Sequence, residues 1–159
     1  KLRGLSLEFL DQMRSECATD LLLIKSDGAR TKSFKAPGQH EPVVPKWATH
    51  CIIVAGLQSI GLPLTEKLVH RTERVTEFSG LMPDAPVTPE AIARVVSHPE
   101  AYLRRIPKET QVSVYLGWCS DAERRAAAEE VAARMGMSRI TGVFCGEIES
   151  DRATLSQLR

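Results

Sequence analysis

Short, continuous apolar runs alternate along this chain with stretches in which apolar residues recur every three or four positions. Leu21, Leu22, Leu23 and Ile24 form one such run, and His50, Cys51, Ile52, Ile53, Val54 and Ala55 form another, closed by Gly56. Each is too short for a helix and too uniformly apolar for a strand with one wet face. Both predict strands buried on both faces, the pattern of a parallel sheet. Val112, Val114 and Leu116 predict a third strand, and Ile140, Val143 and Phe144 a fourth. Parallel neighbours need long crossovers, usually helical. The expected class is therefore α/β, a mostly parallel sheet flanked by helices, in one domain over residues 1–159. The polar tail over residues 146–159 reads as a loose helix.

The helical stretches carry their own punctuation. Ser6 caps a helix with Phe9, Leu10, Met13 and Cys17 on one face, and Asp20 ends it. Gly61 and Pro63 mark a turn. Short helical pieces are predicted from Thr65 to Val69 and from Thr72 to Ser79, the second stopped by Gly80. Thr88, Pro89 and Glu90 open a helix carrying Ile92, Val95 and Val96, which stops before Pro99. Ser120 and Glu123 form a capping box for the longest helix, which holds Ala126, Ala127, Val131 and Met135 and ends at Gly136. Arg124, Arg125, Glu129, Glu130 and Arg134 fall on its exposed side.

Charge and cysteine usage exclude several functions. Lys and Arg total 21 against 20 Asp and Glu, so a formal charge of +1 gives no general reason to expect nucleic acid or an anionic membrane as partner. No apolar run approaches the roughly 20 residues that span a bilayer. Cys17, Cys51, Cys119 and Cys145 stand singly, without a C-x-x-C pair, and no secretory signal is visible. They read as reduced thiols of a cytoplasmic protein, with Cys119 the candidate for a reactive role.

The residues with chemistry to offer gather between Leu21 and Pro45. In an open parallel sheet, ligands bind beyond the carboxyl ends of the strands. Asp27 falls three residues past Ile24, where a carboxylate can hold Mg²⁺ in a nucleotide site. Gly28 allows close backbone approach to a phosphate, and Arg30, Lys32 and Lys35, with Lys25 and Lys46, form a basic cluster that suits one. Asp-Gly after a strand is also an ordinary turn, and both readings stay open. Pro37, Pro42 and Pro45 stiffen the segment that carries His40 and Glu41. With His70 and Glu73 these admit a His/Glu metal site, although the spacing matches no standard metal motif. The sequence holds no G-x-x-x-x-G-K-[ST] phosphate loop and no G-x-S-x-G elbow.

The stretch DGARTKSFKAPGQHEPVVP resembles the signature of the YqeC-like family of selenium-dependent molybdenum hydroxylase accessory proteins. That signature has a hydrophobic strand, Glu-x-Asp-Gly, a Lys-Ala-Pro step and Glu-Pro-Val-Ile-Pro. The resemblance continues through Gly61 and Pro63, the His70-Arg71-x-Glu73 step and Thr88-Pro89-Glu90, and more weakly to the long helix. It implies a P-loop nucleotide-binding fold whose Gly-Lys-Thr motif lies upstream of Lys1, in a stretch of about 40–60 residues. It also implies a nucleoside triphosphate with Mg²⁺ near Asp27, Gly28, Arg30 and Lys35, with Asp27 as the metal-associated carboxylate. NTPase activity would then act as a conformational switch, and the partner would be a molybdenum hydroxylase or its cofactor. Two departures stand out. Lys25 replaces the usual Glu, and the residues from Gly117 to Asp121 replace an Asn-Lys-x-Asp step, which leaves the base of any nucleotide open. The alternative is a non-catalytic module that docks its partner through the loop from Lys35 to Pro45; a third idea is selenium or sulfur handling at Cys119.

Overall fold

The computed structural model describes residues 4–136 and 139–159. The elements are α1 (Leu7–Glu16), β1 (Phe34–Lys35), β2 (His50–Gly56), β3 (Val69–His70), α2 (Thr72–Ser79), α3 (Pro89–Ser97), β4 (Gln111–Gly117), α4 (Ala122–Arg134), β5 (Ile140–Ile148) and β6 (Ala153–Gln157). The fold is α/β, as the alternation predicts. Strands β2, β4 and β5 run parallel, β6 joins antiparallel, and the order is β2-β4-β5-β6. The register sets Ile53 beside Val114 and Val143, and Gly56 beside Gly117 and Gly146. A second, two-stranded parallel sheet pairs β1 with β3.

Local chemistry explains most boundaries. Thr88 accepts a hydrogen bond from the Ala91 N–H and Pro89 takes the first position of α3. Gly80 closes α2 in the left-handed region at φ 76°. The main core lies between one sheet face and helices α3 and α4. Val112, Val114, Leu116, Val143 and Cys145 face Ile92, Val95, Val96, Ala128 and Val131, all essentially sealed from water. No described helix is long and apolar enough to cross a membrane.

Several expectations are corrected. Residues 21–24 are not a strand: they run without a ladder partner among the described residues, with Leu21 and Leu23 exposed. A strand exists only where a neighbour supplies hydrogen bonds, and a four-residue apolar run cannot name that neighbour. The strand at His50–Gly56 is present but buried on one face only. It lies at an edge of the sheet, and its outward Ile52 and Val54 meet solvent.

The 146–159 tail is not a loose helix. It finishes β5 and returns as β6, where Ala153 to Gln157 pair with β5. Gly146 permits that return, because a Cβ there would sit 1.9 Å from the Thr154 carbonyl oxygen. Thr65 to Val69 form a turn into β3 rather than a helix. The cap of α4 is Asp121, not Ser120: its carboxylate accepts from the Arg124 N–H at 2.8 Å. That helix buries Ala128 and Ala132, while Ala126 is exposed. In α1 only Leu10 is buried, so the predicted apolar face of Phe9 and Met13 is largely uncovered.

Candidate functional site

The stretch over residues 25–46 carries little regular structure, as predicted, but it is closely anchored. The Ser33 carbonyl accepts from the Gly56 N–H at 2.8 Å, docking the stretch at the carboxyl end of β2. Only glycine allows this approach, since a Cβ on Gly56 would lie 2.6 Å from that oxygen. Phe34 and Lys35 then pair with Val69 and His70.

This pairing brings four charged side chains together. Lys35 is buried, and its ammonium lies 2.9 Å from Asp27 Oδ1 and 2.6 Å from Glu41 Oε2. Arg71 occupies the left-handed region (φ 60°, ψ 61°) where β3 turns into α2. Its guanidinium donates bidentately to Glu41, at 2.8 and 2.9 Å, the paired geometry that suits arginine. The Gly38 N–H also donates to Glu41. Burial alone would raise the Glu41 carboxyl, but hydrogen bonds from Arg71 and Lys35 outweigh it and hold the group at about 2.

Two carboxylates thus face two cations, and the cluster is neutral. Further donors fix the backbone around it. Tyr102 OH donates to the Lys35 carbonyl at 3.0 Å, Arg74 Nε to the Pro37 carbonyl at 2.7 Å, and Arg104 to the Gln39 carbonyl at 3.0 Å. Burial, reinforced by the Asp27 and Glu41 charges, pushes the Tyr102 phenol far up, so it remains a donor.

Of the predicted nucleotide-site residues, Asp27, Gly28 and Lys35 converge, the Gly28 carbonyl lying 3.5 Å from the Lys35 ammonium. Arg30 stands outside the cluster, exposed in a left-handed turn with Thr31. Pro37 and Pro42 are buried at the flanks of the loop, and His40 is exposed at its tip. From the family step, Arg71 is central, while Glu73 is exposed on the first turn of α2. His70 is half-buried, and burial, then the charges of Arg71 and Arg30, lower its pKa. Tyr102, Arg74 and Arg104 escaped the sequence reading; Tyr102 lies 67 positions from Lys35, and nothing local links them.

The His/Glu metal idea fails on geometry. Glu41 is committed to Arg71 and Lys35, and no group of three or more His, Cys, Asp or Glu among the described residues could hold a metal ion. Asp27 does not fit a Mg²⁺ site on its own either. Mg²⁺ wants six oxygens in octahedral array, and Asp27 is one carboxylate already facing an ammonium. Cys119 is equally poor as a nucleophile: burial and the adjacent Cys145 thiol push it up to about 11.

Residues 1–73 match the family model described as YqeC protein. A curated relative, the uncharacterized protein YqeC of Escherichia coli (strain K12), is 28% identical over 155 residues, which cover 96% of this chain. The same alignment takes in 60% of the relative, so the chain spans well under two thirds of its length. No solved structure matches. The family match contains all four charged residues of the cluster, Asp27, Lys35, Glu41 and Arg71, and leaves out Arg74, Tyr102 and Arg104; on these findings the chain is similar to the YqeC proteins.

Proposed function

We propose that this chain acts in an accessory protein that matures a selenium-dependent molybdenum hydroxylase, and that the loop from Lys35 to Pro45 is the surface presented to that enzyme or its cofactor. One observation carries the reading: the loop is held in a single shape while its buried charges answer one another. Lys35 sits between Asp27 and Glu41, and Arg71 grips Glu41 with both nitrogens. A site built to capture phosphate keeps a cation free for it; here the cations position the loop instead. The groups left facing outward are Gln39, His40 and Val43. Co-purification with the cognate hydroxylase tests this. His40→Asp with Val43→Asp should abolish the complex, and Arg30→Ala, outside the cluster, should spare it. Binding untouched by the loop changes would defeat the docking role.

A second reading keeps a nucleoside triphosphate with Mg²⁺ near Asp27, Arg30 and Lys35, on a P-loop-like fold, with hydrolysis as a switch. It is favoured by Asp27, which is half-buried and engages Lys35 through Oδ1. Substrate phosphates would supply most of the metal's ligands, and Lys35 would have to exchange a carboxylate for a phosphate. Thermal unfolding of the full-length protein with Mg²⁺ and ATP, GTP or CTP decides it. Ligand at 100 times its Kd adds about 2.7 kcal/mol, and Asp27→Ala should remove the shift with the fold retained. No shift with any nucleotide ends this reading.

A further inference from the structure

Two thiols outside the charge cluster come together at the carboxyl ends of β4 and β5, although the whole of α4 separates them in sequence. Cys145 lies on β5 beside Leu116 and is 1% exposed. Strand β4 ends at Gly117, and Trp118 then takes the left-handed region at φ 61°, which turns the chain back across the end of the sheet. The Cys119 N–H consequently donates to the carbonyl of Gly146, the residue after Cys145, at 3.2 Å. The Cys119 side chain packs on the core that contains Cys145, and the two thiols stand within hydrogen-bond reach of each other. Cys119 is only half-buried, so the pair is open to water on one side.

We propose that Cys119 and Cys145 together form a binding site for one copper(I) ion, held between two thiolates. The donor set selects the ion. Thiolates are soft ligands, and soft ligands favour Cu(I). A structural Zn²⁺ asks for four ligands, whereas no group of three or more His, Cys, Asp or Glu that could hold a metal stands together among the described residues. Cu(I) is satisfied by two. On binding, each S–H proton passes to solvent and one S–Cu bond forms at each sulfur, with no change of oxidation state. A thiol too basic to attack at neutral pH still serves as a ligand here, because the metal takes the place of the proton. The bis-thiolate complex carries one negative charge. The N-terminal end of α4, capped two residues after Cys119, favours an anion there. Arg125, the cation that acts on Cys119, adds to this while also reaching Ser156 and Glu129. The carboxylate that opposes it, Asp121, is paired with Arg124 at 3.0 Å.

Anaerobic titration of the full-length protein with Cu(I) against bicinchoninate tests this, in a Cys17→Ser background that removes the exposed thiol. The expected result is one Cu(I) per chain, a raised melting temperature, and two sulfur neighbours by X-ray absorption at the copper edge. Cys119→Ser, at a half-buried position, should lower the affinity by about a hundredfold or more with the fold retained. Cys145→Ala should do the same, and Cys51→Ser should leave uptake unchanged. Co²⁺ should bring no thiolate charge-transfer band. Uptake no greater than that of the Cys119→Ser variant overturns the proposal. So does a shell of three or more sulfurs, or a Co²⁺–thiolate band that disappears in Cys119→Ser.

Discussion

Ile52 and Ile53 are adjacent residues of β2, yet the first is 63% exposed and the second 4%. The contrast extends across the sheet. On the face under α3 and α4, Val112, Val114 and Leu116 are wholly buried. On the other, Val54 is exposed and Tyr115 and Phe144 are half-buried. Both faces are written in similar apolar residues, so composition does not decide which face is core. The covering layer does, and α3 and α4 cover one side. Apolar character is thus necessary for burial here without being sufficient, and stability should be concentrated on the covered face.

The largest expected effect lies there. Leu116→Ala, at the centre of the covered face, should cost about 3 kcal/mol. For a chain of this size that is a fall of roughly 6–12 °C in Tm by calorimetry. A cost below about 1 kcal/mol would show that the covered face collapses around the gap. Next comes Glu41→Gln, which leaves Lys35 and Arg71 with Asp27 alone. Glu41 is a quarter exposed, so solvent screening reduces the cost from that of a fully buried pair to about 2 kcal/mol. Its pH dependence has a definite sign. The folded carboxyl titrates at about 2 against an ordinary 4.5. Its contribution is therefore present above about pH 4.5 and lost as pH falls toward 2. Urea titrations at stepped pH should show that loss in the parent and a flatter profile in Glu41→Gln.

Tyr102→Phe should cost about 1 kcal/mol by orphaning the buried Lys35 carbonyl. Limited proteolysis should then cut the loop from Lys35 to Pro45 faster, and unchanged cleavage would mean that Arg71 and Arg74 suffice to hold it. The smallest effect belongs to the open face: Val54→Thr should change stability by no more than about 0.5 kcal/mol. A loss comparable to that of Leu116→Ala would reveal a layer over this face in solution and erase the contrast.

What could be read from the sequence follows from the same distinction. Strands β2, β4 and β5 and helices α2 and α3 announced themselves through local pattern: β-branched runs, Thr88 with Pro89, and Gly80. Residues 21–24 misled because a continuous apolar run says nothing of a pairing neighbour. Strand β6 was missed because Ala153, Thr154, Ser156 and Gln157 are polar or small, and the pairing is imposed by β5. In the site, Asp27, Lys35 and Glu41 stand out by residue type and by family signature, and Arg71 by the signature alone. Their combination into one neutral cluster was not legible, because ion pairs depend on distances that only the docking of β1 on β3 creates. Arg30 shows the converse: its charge suggested a phosphate ligand, and its left-handed turn keeps it outside.

The Lys35 carbonyl is held by Tyr102, the Gln39 carbonyl by Arg104 and the Ala48 carbonyl by Thr110, all more than 60 positions downstream. β2, in turn, pairs with β4, whose last residue is Gly117. During synthesis the loop must therefore leave the ribosome long before its supports exist. Its anchored shape arrives late, when Tyr102 and Arg104 have emerged, in the manner of contacts with large sequence separation. A stalled or truncated product ending before Tyr102 would carry most of the family signature and yet lack the shape that the signature specifies.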